Sequence, residues 1–219
     1  MTEPLAVALE SAPRKAFATA LDWPGWSRSA KTDELAIEAL FAYAPRYARV
    51  IEAAGLALPS SSDIDVVERV EGGSGTTFGV PSHLTHEADA RPVDRAEARR
   101  LGAIVEAAWS TFDGVAAGAP AELRKGPRGG GRDRDKMVGH VVEADWYYTR
   151  ELGLKLRQPA LGDRPSILSM RDDVLAVLRE PSDGRPLGGR KWPQRYAARR
   201  IAWHALDHAW EIEDRSTEE

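Results

Sequence analysis

The chain has 219 residues, 42% of them hydrophobic, enough for a substantial core in one large domain or two smaller ones. A formal net charge of -4 gives no global attraction to polyanions, so no nucleic-acid partner is expected. With no cysteine, disulfides and thiolate metal ligation are excluded, and any thiol used in chemistry must arrive as a cosubstrate.

In chain order, the first third reads as α+β. Leu5–Leu9 alternates as a strand does, and Lys15–Leu21 is a second candidate. Asp22–Trp26 carries a Pro-Gly turn flanked by two tryptophans. The spacing predicts a helix over Asp33–Ala54, with Leu35, Ala39, Ala42 and Val50 among its apolar positions. Thr32 or Asp33 caps it, Gly55 ends it, and Pro45 marks a point of kinking. Ile64–Val70 is a further strand, after which Gly72–Gly75 turns the chain toward Thr76–Val80. Pro81–Pro92 has turn residues, two histidines and no period. The expected division is an α+β domain over 1–80, a linker over 81–92 and a helical domain over 93–216.

The helical part begins with Val93–Ala117, apolar at Leu101, Ile104, Val105, Ala108 and Phe112. A loop rich in Gly, Pro, Arg and Lys follows, from Ala119 to Gly131. Asp133 caps a second helix to about Leu152, closed by Gly153, with Met137, His140, Val141, Ala144 and Tyr148 facing inward. A third helix starts at Pro165 and uses Ile167, Met170, Val174 and Val177. The fourth runs from Pro193 to Asp214. Ile201, His204, Ala205, His208 and Ile212 share one face, and Trp203, Leu206 and Trp210 a second that could receive the amino-terminal domain. Four such helices make an antiparallel bundle, so the fold class is α+β with a carboxy-terminal four-helix bundle.

His204 and His208 are four residues apart and therefore stack on one helix face. His140 lies on the inward stripe of an earlier helix, and three neutral imidazoles with an open position make a catalytic metal site. The bland alternative is a set of buried, hydrogen-bonded core histidines. Glu143, three residues after His140, is a fourth ligand, a general base, an imidazole orienter, or simply a surface glutamate. Arg200 and Tyr147 are candidate substrate contacts; the Arg200 fork suits a carboxylate, unless it merely pairs with Glu211. Asp207 points away from the histidines and reads as structural. His83 and His86 form an H-x-x-H that could take a second metal, line the site mouth or face solvent. The basic stretch Arg124–Arg134 reads as a solvated loop, or as a mobile lid that attracts anions. The tryptophans at 23, 26, 203 and 210 read as interface core.

Gly139–Tyr148 together with Ala202–Glu211 resembles the DinB-like superfamily, over about residues 93–216. The resemblance implies a four-helix bundle in which His140, His204 and His208 hold a divalent metal, zinc by default, with nickel, iron or copper also suited. It further implies transfer of a low-molecular-weight thiol to a small electrophilic substrate, and homodimers are common among such proteins. Metal-assisted hydrolysis and a non-catalytic, metal-stapled binding module are the alternatives. Phe17–Trp26 followed by Ala30–Glu34 is similar to the small HicB-like domain, which implies a strand–strand–helix–strand unit. The amino terminus has no basic region or long apolar run, and no segment approaches membrane-spanning length. A cytoplasmic protein is expected.

Overall fold

The computed structural model describes residues 3–59, 63–83, 87–125 and 131–216. Three strands open the chain: β1 (Leu5–Ala12), β2 (Lys15–Ala20) and β3 (Ser27–Ala30). Helices α1 (Asp33–Ala42) and α2 (Ala44–Ala53) lead to β4 (Ile64–Glu71). The sheet order is β3-β2-β1-β4, with β1 parallel to β4 and the other pairs antiparallel. β3 is absent from the sequence reading because Ser-Arg-Ser-Ala has no apolar alternation; pairing with β2 makes it a strand. The single helix expected over Asp33–Ala54 is two. Tyr43 ends the first, and Pro45 sits in the first turn of the second, where its missing N–H costs nothing. The expected strand–strand–helix–strand order is therefore exceeded by one strand and one helix break. A short helix, α3 (Ser74–Phe78), stands where a turn toward Val80 is read from the sequence.

Four longer helices follow: α4 (Arg95–Gly118), α5 (Arg134–Thr149), α6 (Arg164–Leu178) and α7 (Gln194–Ser216). Their pairwise contacts close a ring, α4 against α6 and α7, and α5 against α6 and α7. Side-chain ties give the directions. Glu97 and Arg195, near the starts of α4 and α7, lie 2.6 Å apart, and Arg124, just beyond α4, donates to Asp214 near the end of α7. These two helices run parallel. Asp113 in the later half of α4 pairs with Arg164 at the start of α6, so those two run antiparallel. His140, early in α5, meets His208, late in α7, so that pair is also antiparallel. The chain thus goes up, down, down, up. This path requires a long return between α5 and α6. Residues 153–163 supply it: the Trp146 indole donates to the Leu156 carbonyl, and the Leu161 side chain lies over Gly139. About ten extended residues reach roughly 33 Å, enough to retrace a helix of this length.

One buried ionic network ties three of these helices. Arg171 of α6, itself buried, reaches Asp145 of α5 at 3.2 Å and Asp113 of α4 at 3.0 Å. Burial pushes the Asp145 carboxyl up to about 6, against the opposing pull of Arg171.

The sheet packs on the second apolar face of α7. Phe17 of β2 meets Trp203 edge-on, Tyr43 meets Trp210, and Arg28 of β3 pairs with Asp207 at 2.9 Å. Gly25 allows the approach: with φ of +93°, a Cβ there would fall 2.7 Å from the Leu206 side chain. Trp26 stacks on Tyr47 beneath the sheet. The result is one continuous hydrophobic core running from Leu5 and Val7 through Leu101 and Met137 to Ile212. Among the described residues, no helix is long and apolar enough to cross a membrane.

Candidate metal centre

Helical periodicity alone places His204 and His208 on one face of α7, and the antiparallel packing of α5 brings His140 opposite them. The ring centroids lie 4.7 to 5.0 Å apart, and one ligating nitrogen from each ring falls within 4.8 Å of the others. Among the described residues this is the one group of three or more candidate ligands that converges so closely. Nε2 of His140 and Nε2 of His204 are 3.2 Å apart. Two nitrogens bound tetrahedrally at about 2.05 Å would be separated by roughly 3.3 Å, so the spacing fits one shared divalent ion. This group could bind a metal ion.

Electrostatics favours the form that binds metal. Burial, reinforced by the charge of neighbouring His208 and Arg132, lowers the His140 imidazole to about 4. Burial likewise holds His204 well below the ordinary histidine range, with His208 and Arg200 acting in the same direction. Both rings are therefore neutral at pH 7, with a lone pair free. His208 is oriented from behind: its Nδ1 lies 3.0 Å from Glu211, whose other oxygen is 3.0 Å from Arg215. That contact leaves Nε2 of His208 free to ligate an ion, as in a carboxylate–histidine–metal chain. The His204 Nδ1 is buried and finds no protein partner.

The triad lies in an open cleft of about 550 Å³, lined also by Phe78, Tyr147, Tyr148, Trp203 and Arg200. This is within the size range of small-molecule sites. One wall belongs to the amino-terminal part of the chain, through Phe78, Gly79 and Val80. Buried Glu10 of β1 pins this wall by accepting from the Thr76 hydroxyl and from the Ser82 and His83 backbone N–H groups.

The other candidate residues fall as follows. Glu143 is exposed on the rim, in the lining of the cleft. Tyr147 is exposed at the cleft mouth. Arg200 stands over the rings of Tyr148 and Trp203, at 5.6 and 4.8 Å, and its Nη1 is buried without a hydrogen-bond partner. The surface pairing of Arg200 with Glu211 is not formed, because Glu211 turns to His208 and Arg215 instead. Asp207 is the tie to β3, as its position away from the histidines suggests, although it also touches the cleft. His83 lines a neighbouring water-sized cavity behind Trp203 rather than the mouth; His86 lies outside the described residues. In the basic stretch, Arg124, Lys125 and Arg134 are tied to Asp214, Asp133 and Asp135, while residues 126–130 lie outside the described residues. Trp26 and Trp210 are buried core, whereas Trp203 is both core and cleft wall. Sequence reasoning missed the role of Glu211, although its i,i+3 spacing from His208 was a usable signal. It also missed Phe78, which is 86% exposed and carries no local pattern.

Comparison of the chain with protein-family models, with curated proteins and with solved structures finds no match.

Proposed function

We propose that the chain is a metal-dependent transferase that joins a low-molecular-weight thiol to a small electrophilic substrate. The observation that carries this reading is the gathering of three imidazole nitrogens within 4.8 Å in an open cleft. A closed four-ligand site would argue for a structural ion; three ligands beside a cleft leave room for a reacting group. The DinB-like resemblance supplies the thiol. A divalent metal held by the triad lowers the pKa of a thiol bound to it, so that thiolate is present at neutral pH. Zinc is the default occupant, and three imidazoles suit nickel, iron or copper as well.

The chain's own residues then do the rest. His140, His204 and His208 hold the ion, and Glu211 fixes the ring of His208. The free Nη1 of Arg200 offers a substrate carboxylate the partner it lacks. Tyr147 and Phe78, at the exposed edge, flank the apolar body of the substrate. Glu143, on the rim, takes the proton from the thiol sulfur and gives it to the substrate atom that gains the electron pair as the carbon–sulfur bond forms.

The test is bound metal per chain, measured on untagged protein purified without chelator, with His204→Ala alongside. About one equivalent in the parent, lost in the variant, is expected. No metal, and no uptake of zinc, nickel or iron, would overturn the reading and leave a core of histidines. Turnover that proceeds without added thiol would replace transfer by hydrolysis.

A further inference from the structure

Another cleft, of about 860 Å³, lies at the turn end of the sheet, lined by Pro13, Arg14, Lys15, Lys31 and Thr77. This too is within the size range of small-molecule sites. Topology alone gathers its cations. Ala12 pairs with Lys15, so Pro13 and Arg14 form the turn between β1 and β2. The register that pairs Ala16 with Ala30 brings Lys15 and Lys31 opposite each other one step further on. Like charges facing each other across a strand pair repel and weaken it. Nothing local relieves this repulsion: the lining holds no carboxylate, and none of the three cations pairs with an acid among the described residues. Asp33, two residues after Lys31, is held instead by the Ser11 hydroxyl and by Arg69 at 2.7 Å. By contrast, Arg28, Arg46 and Arg91 all find acids. Lys15 is half-buried, and its ammonium approaches the wall of the metal cleft from behind: a Cβ on Gly79 would lie 3.2 Å from its Nζ. Thr77 lines this cleft, while Phe78, Gly79 and Val80 line the other.

We infer that this cleft binds a small molecule carrying a diphosphate or a longer phosphate chain. Three cations with no acid among them leave an excess of positive charge that an anion neutralises. A carboxylate brings one charge and a phosphate monoester about two at neutral pH, so a diphosphate comes nearer to matching three. The two lysines act on phosphate as point charges, and the Arg14 fork can take two of its oxygens. The lining contains no aromatic ring on which the bases of a nucleic-acid strand could stack, and the net charge of -4 opposes such a strand. The metal cleft shares no lining residue with this one, so the inference does not rest on the transferase reading.

The experiment titrates the full chain with pyrophosphate by calorimetry at low salt and follows thermal unfolding in the same buffers. Saturable binding to a single site per chain is expected, with inorganic phosphate binding more weakly. Lys15→Gln/Lys31→Gln should weaken pyrophosphate binding by roughly tenfold, the sum of two exposed ion pairs. Lys31→Gln alone should unfold at a higher temperature than the parent without anion, because the facing like charges are gone, and should gain less from added pyrophosphate. A variant that merely folded badly would shift the other way. His204→Ala, which disables the triad, should bind pyrophosphate as the parent does. Loss of binding in that variant would place the anion on the metal and overturn the inference. Unchanged affinity in the double lysine variant would overturn it too, as would an equal rise in unfolding temperature from sodium chloride at matched ionic strength, which would mean screening alone. None of these outcomes bears on the transferase reading, whose own test is bound metal.

Discussion

At the scale of single residues, two of the three imidazoles of the site, His140 and His204, are kept neutral by burial. The unfolded chain's histidines titrate near 6.5, whereas His140 is lowered to about 4 and His204 lies well below its ordinary value. Between these values the unfolded chain takes up protons that the folded chain refuses. Stability is therefore fully present above about pH 6.5 and falls progressively as pH drops toward about 4. Metal binding follows the same direction, since protons and metal compete for the same lone pairs. Urea midpoints and metal content measured together at about pH 7.5 and about pH 5 should both decline; a midpoint that rises on acidification would contradict the assignment. Glu211 gives a second expectation. It fixes the ring of His208 at 3.0 Å, so Glu211→Gln should weaken metal affinity about 10- to 100-fold with the triad intact. A competition titration against a chromophoric chelator reads this directly.

At the scale of elements, α5 and α7 hold the triad, and their relative position depends on what surrounds them. Arg171 is central, because its guanidinium is shared by Asp145 on α5 and Asp113 on α4 while its own backbone belongs to α6. Arg171→Ala leaves the Asp145 carboxylate buried and unpaired, at an expected cost of about 3–5 kcal/mol. Replacing both partners, as Arg171→Met with Asp145→Leu, should recover most of that loss, since a buried pair contributes little net stability over apolar groups that pack well. Urea unfolding of the two variants separates these outcomes. Equal loss in both would mean that packing rather than charge holds the three helices together. Phe78, Gly79 and Val80 belong to no bundle helix, yet they form a wall of the site, because Glu10 of β1 holds the Thr76–His83 stretch in place.

At the scale of the whole molecule, the sheet and the bundle share one hydrophobic core. Trp203, Leu206 and Trp210 of α7 are all buried, in part by β2, α1 and the Gly25 turn. A fragment beginning at Val93 would expose this face of α7 to water. Such a fragment should self-associate or lose its cooperative unfolding transition, as large exposed apolar patches do. Size-exclusion chromatography with light scattering tests this; a monomeric, cooperatively folded fragment that retains metal would show that the bundle stands alone. The same face explains why the helix is apolar on two sides. One side receives the rest of the bundle, including His140, and the other receives the sheet.

By itself the sequence determined what local periodicity can carry. The 3.6-residue repeat placed His204 and His208 together, set the inward stripe of α5 with His140 on it, and marked both apolar faces of α7. It likewise revealed most strands, and the α+β class, through alternation. Only the tertiary structure decided what depends on direction and on contacts distant in sequence. The parallel run of α4 and α7, the return of residues 153–163 along α5, β3, and the break at Tyr43 have no periodic signal, because partner strands and packing impose them. The turn of Glu211 toward His208, the unpartnered Nη1 of Arg200 and the cleft wall at Phe78 belong to the same class. Each is settled by what lies across the fold, where a hydrogen bond or a buried surface outweighs local preference.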